Sequence, residues 1–86
     1  MEVKMIYSEE TLGKILRNMY DNAPHNEQMT MIFLFGIKYG CIIEQNNFKI
    51  ADIVYKSGIN QNFKTEVRRG LKLGKYVEIK SDMDTF

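Results

Sequence analysis

Lys64, Arg68, Lys72 and Lys75 recur at spacings of four, four and three, with Arg69 beside them. On a helix this spacing gathers the four cations into one stripe. Phe63, Val67 and Leu71 recur at spacings of four on the other side. One side can therefore anchor the helix to a core while the other offers cations to solvent. A helix of that kind suits the major groove of duplex DNA. Its lysines neutralise phosphates, and its arginines can reach guanine with two hydrogen bonds at once. Asn60, Gln61, Asn62 and Thr65 sit at the leading end of the same helix. There, amides can pair with adenine and a threonine can meet a thymine methyl or a phosphate. Tyr76 and Lys80 lie just beyond, where they can touch the nucleic-acid backbone. The expected DNA-binding set is Asn60, Gln61, Asn62, Lys64, Thr65, Arg68, Arg69, Lys72, Lys75 and Lys80.

The distribution of charge supports that reading. The net charge is only +1, but residues 1–48 sum to −2, residues 49–80 to +5 and residues 81–86 to −2. Exposed charges farther apart than about 8–10 Å are largely screened at physiological salt. A polyanion would respond to the local excess rather than to the total.

Several elements must position this helix. Met1–Tyr7 alternates with period two and reads as a short strand. Ser8 followed by Glu9 and Glu10 reads as a helix start, with Leu12, Ile15, Leu16 and Met19 on its inner face. Pro24 ends that helix near Asn22. His25 or Asn26 is expected to cap a second helix running to about Glu44. Its apolar residues fall on nearly every side, the pattern of a helix in the middle of a bundle. Gly36 and Gly40, four apart, allow close approach of another helix, with a homodimer contact as the alternative. A short third helix carries Phe48, Ile50, Ala51, Ile53 and Val54 inward and ends at Gly58 in a left-handed cap. A fourth begins near Asn62 or Phe63, is weakened by Gly70 and ends at Gly74. Lys75–Lys80 alternates again and reads as a closing strand, free to pair with Val3–Tyr7 or with a neighbouring chain. The expected fold is mainly α: four helices in one domain over residues 1–80, with short N- and C-terminal strands, then a flexible tail over 81–86.

The segment Ile53-Val54-Tyr55-Lys56-Ser57-Gly58-Ile59 resembles the first helix and turn of the helix-turn-helix family. Its glycine lies four residues after a small core position, Val54, and the aliphatic Ile59 follows at once. Val67 falls nine residues after Gly58, where the second helix of the family turns inward. The family more often has alanine at Val54 and an aliphatic at Lys64, with Phe63 here standing one place early. In size and layout the chain also resembles the compact, sometimes winged, helix-turn-helix proteins of phages and mobile elements. The resemblance covers about 30 of the 86 residues. It implies a double-stranded DNA-binding domain acting as a small transcriptional regulator or DNA-targeting module. A homodimer is expected with it, because one small domain buries little surface on DNA.

Other chemistry is poorly supported. A single Cys41 leaves no internal disulfide or multi-cysteine zinc site, and it fits a reducing cytoplasm. Within an apolar helix it reads as a small buried hydrophobe. Met5, Met19, Met29 and Met31 read as core. The one histidine, His25, follows Pro24 and reads as a surface residue. Glu9 and Glu10 are adjacent, so they point apart on a helix and form no acid–base pair. No phosphate-binding glycine loop, cofactor motif, signal peptide or membrane-length apolar run is present. No enzyme is expected. The alternative function is a protein-binding adaptor or inhibitor, such as a phage anti-defence protein, built on the same scaffold. The near-neutral total charge favours that alternative, since many dedicated DNA binders are more basic.

Overall fold

The computed structural model describes residues 6–80. They form four α-helices: α1 (Glu9–Asp21), α2 (Gln28–Gln45), α3 (Ile50–Ser57) and α4 (Lys64–Leu73). A one-turn 3-10 helix, Gln61–Phe63, leads into α4. The core is made where the four meet, with Leu12, Leu16, Ile32, Phe35, Ile53, Val54 and Val67 fully buried.

Local chemistry accounts for each boundary. Ser8 Oγ accepts from the Thr11 backbone N–H at 3.1 Å, and Thr11 Oγ1 accepts from the Ser8 N–H at 2.7 Å. This reciprocal cap satisfies two N–H groups that the helix itself leaves free. Glu9 and Glu10 sit in the same first turn, at the positive end of the helix dipole. α1 ends at Asn22, whose side chain donates to the Asn18 carbonyl at 2.9 Å. α2 starts from Glu27 rather than His25 or Asn26. Asn26 instead takes a left-handed backbone, φ 65°, so it turns the chain into the helix and cannot serve as its cap.

α2 is not apolar on every buried side. Met31, Ile32, Phe35, Tyr39 and Ile43 point inward, but Cys41 is exposed and Met29 is 56 % exposed. Both were expected in the core. Among the described residues only three other helices are available to cover α2, and its contacts are chiefly with α1 and α4. Ala51, expected on the inner face of α3, is likewise exposed.

Gly36 and Gly40 face α4 within the same chain, which removes them from any intermolecular contact. A methyl group at Gly36 would overlap the Val67 carbonyl oxygen and stand 2.9 Å from the Leu71 nitrogen. Gly70 is the counterpart on α4, and it is a contact point rather than a weak spot. A methyl group there would overlap the Phe33 carbonyl oxygen and stand 3.0 Å from Gly36 Cα. The two helices therefore touch backbone to backbone.

No strand forms among the described residues. The expected strand at Lys75–Lys80 is replaced by a turn over residues 74–76 and irregular chain after it. Tyr76 and Val77 donate their N–H groups back to the Leu73 carbonyl at 2.9 and 3.2 Å, so these donors are unavailable to a ladder. Most of the expected N-terminal strand, residues 1–5, lies outside the described residues, as does the expected tail at 81–86. Ile6 and Tyr7 are not in a strand. No helix among the described residues is long and apolar enough to cross a membrane.

Candidate nucleic-acid interface

α3, the turn after it and α4 follow one another as a helix, a turn and a helix. Gly58 has φ 79°, the left-handed geometry that lets the chain reverse after α3. Ser57 fixes the turn from inside. Its buried hydroxyl donates to the Val54 carbonyl at 2.5 Å and accepts from the Ile59 N–H at 3.2 Å. Ile59 is buried, and Val54 and Val67 close the corner between the two helices. The displacement of Phe63 by one place is absorbed by the 3-10 turn. That turn sets Phe63 against the Tyr20 ring, with centroids 5.8 Å apart. Lys64 is thereby released from the core position that an aliphatic occupies in a regular turn.

α4 carries part of the expected cationic stripe on its solvent side. Val67 and Gly70 are buried and Leu71 half-buried, while Arg68, Arg69 and Lys72 are exposed. None of these three has an ion pair among the described residues. Lys64 is half-buried at the start of the helix and Thr65 exposed beside it. Asn60 caps the 3-10 turn: its Oδ1 accepts from the Asn62 N–H at 2.8 Å. That bond occupies the oxygen and leaves the Asn60 side chain exposed; Asn62 is exposed and Gln61 half-buried.

Two expected members are placed differently. Lys75 lies past the end of α4, in the turn, and its Nζ is 3.7 Å from Glu44 Oε2 on α2. It extends no helical stripe, because the helix stops at Leu73. Lys80 and Tyr76 sit on no wing strand; both are exposed, Tyr76 at 85 %.

The structure adds residues that α4 alone did not suggest. An open groove of about 700 Å³ lies where the end of α2, the start of α3 and α4 come together. Arg68, Lys72 and Lys49 line it, over a floor that includes Phe48, Ile50 and Leu71. Lys49 is the cap residue of α3 and makes no side-chain cap bond. Its backbone N–H instead donates to Glu9 Oε2 of α1 at 2.8 Å. A cation at a helix start opposes the helix dipole. That mismatch was the one sequence signal that could have singled out Lys49.

Among the described residues no cluster of three or more His, Cys, Asp or Glu side chains could hold a metal. His25 is exposed in the α1–α2 loop. Comparison with curated proteins and with solved structures finds no match. The four-helix arrangement, with its glycine-capped turn before a basic helix, agrees with the family comparison: residues 8–80 match the HTH-like domain, and the chain belongs to that family.

Proposed function

We propose that the protein binds double-stranded DNA by inserting α4 into the major groove, with Arg68, Arg69 and Lys72 as its principal contacts. One observation carries the reading: these three cations stand exposed on a helix whose opposite face is locked into the core, and no carboxylate among the described residues engages them. Lys64, Thr65 and Asn62 lie at the leading end, where base edges are read. Arg68, Lys72 and Lys49 around the groove neutralise the phosphate backbone. Lys75 and Lys80 are outer contacts, the first of them partly neutralised by Glu44. The protein acts as a binding module without a catalytic step, as a small transcriptional regulator or DNA-targeting module. It works as a homodimer, since one such domain covers only roughly 600–1,000 Å² of DNA-contacting surface.

The test is fluorescence anisotropy on a random duplex over a range of salt. With about three to four phosphates neutralised per domain, log K should fall against log salt with a slope near −3 for one domain and about −6 for the dimer. Arg68→Ala with Lys72→Ala should flatten the slope by about two per domain. Failure to bind at low salt sinks the reading. It would favour the protein-binding adaptor or inhibitor instead, to which the net charge of +1 also points.

A further inference from the structure

The groove between the end of α2, the start of α3 and α4 has an apolar floor that a phosphate backbone does not use. The end of α2 builds part of it. Asn47 takes a left-handed backbone, φ 55°, and donates its N–H to the Glu44 carbonyl at 3.2 Å. The Phe48 N–H then donates back to the Ile43 carbonyl at 3.0 Å. These two bonds close the helix and fold the residue after the turn back toward its last apolar position. Phe48 and Ile43 both line the groove, and Ile50 and Leu71 complete its floor. Phe48, Ile50 and Leu71 are half-buried, so part of each remains uncovered.

The rim is cationic. Lys49, Arg68 and Lys72 are exposed, and among the described residues none of these side chains is in an ion pair. Glu44 is the one carboxylate in the lining, and its Oε2 lies 3.7 Å from Lys75 Nζ. Three cations thus face one carboxylate, which already has a cation of its own.

We propose that the groove binds an acidic protein segment, one large apolar side chain flanked by Asp or Glu, and that this segment competes with DNA for Arg68 and Lys72. The binding stands on the groove alone; the competition rests on the DNA reading above. Charge selects the sign of the partner. Carboxylates satisfy the rim, and Arg68 can hold one with two hydrogen bonds. A neutral or basic segment would leave the rim cations unmatched. The floor selects a protein over a nucleic acid for this position. A phosphodiester chain is charged and hydrated along its length and brings nothing apolar to Phe48, Ile50 and Leu71. Shape selects a length of chain over a small molecule. Small-molecule sites enclose most of their ligand. This groove, of about 700 Å³, is open to solvent and has room for more than one side chain. A segment anchored by one apolar residue and held by charges at the rim fits such a trough.

The probe is a labelled peptide with one phenylalanine between two pairs of aspartates, capped at both ends and added to the full chain. At millimolar peptide and low salt, the amide signals of Phe48, Ile50 and Leu71 should shift and saturate. Alanine in place of the peptide's phenylalanine should weaken binding at least fivefold, and asparagine in place of its aspartates should abolish it. Ala51 is exposed and borders the groove. Ala51→Trp should fill the groove without removing a charge, weakening the peptide at least fivefold and leaving duplex affinity unchanged. Lys49→Gln should weaken the peptide two- to threefold, and serves if Ala51→Trp fails to fold. No shifts, or shifts scattered away from the groove, overturn the proposal. So does an alanine peptide that binds as well as the phenylalanine one, since charge alone would then explain it. Duplex that stays bound at saturating peptide overturns the competition. A chain that takes the peptide but no duplex at low salt sinks the DNA reading and leaves the groove's ligand standing; duplex without peptide does the reverse.

Discussion

Gly36 of α2 and Gly70 of α4 meet backbone to backbone, and this contact sets how far the basic helix stands from the core. A methyl group built on either would reach within 3.0 Å of the other helix's glycine and overlap a backbone carbonyl oxygen. Backbone cannot rotate aside as a side chain can. Replacing glycine by alanine inside a helix ordinarily gains about 0.5–1 kcal/mol. Here Gly36→Ala and Gly70→Ala should each lose about 1–3 kcal/mol, the cost of overpacking a filled contact. Urea denaturation should show the midpoint falling. A rise would mean that the helices part freely at this crossing.

The turn between α3 and α4 should be sensitive for two separate reasons. Gly58→Ala should cost about 1–2 kcal/mol from the left-handed backbone alone, since the nearest side-chain atom, Arg17 Nη1, is 3.5 Å from the added methyl group. Ser57→Ala should cost about 1–3 kcal/mol by stranding the Ile59 N–H in a buried corner. Thermal melts of the two variants check both figures.

Arg68→Ala and Lys72→Ala should leave stability within about 0.5 kcal/mol of wild type, because both side chains are exposed and unpaired. Duplex affinity should fall all the same. A variant that loses affinity together with its melting temperature would show that the cations support the fold rather than the ligand.

Glu44→Gln should act in the opposite direction. It frees Lys75 and removes the one carboxylate lining the groove that holds Arg68 and Lys72. Duplex affinity should rise by about two- to threefold at low salt and return to the wild-type value at high salt. Stability should change little, as the Glu44–Lys75 pair is half-exposed.

Glu9→Gln should weaken the start of α3. The Lys49 N–H loses a charged acceptor and keeps a neutral one, so the loss should be about 0.5–1.5 kcal/mol. Amide hydrogen exchange at Lys49 should quicken more than exchange within α4.

Much of this architecture is legible in single segments. Ser8 before Glu9 and Glu10 marks a helix start, and Gly58 after Ser57 marks a left-handed end, because capping depends on neighbours within four residues. Where local patterns misled, a longer contact had decided. The alternation of Lys75–Lys80 suits a strand, but a strand exists only with a partner, and the Leu73 carbonyl had already taken two of its donors. Met29 and Cys41 look like core because α2 is rich in apolar residues. No periodicity tells how many neighbours a helix will have.

The residues by themselves determined the four helices, the glycine-capped turn and the cationic face of α4 with its apolar backing, since helical period and cap chemistry act within a few residues. Only the tertiary structure decided that Gly36 would receive Gly70, that Glu9 would cap Lys49, that Glu44 would claim Lys75, and that one face of α2 would be left to solvent. These relationships join groups far apart in the chain. They depend on how whole helices pack, which no single segment encodes.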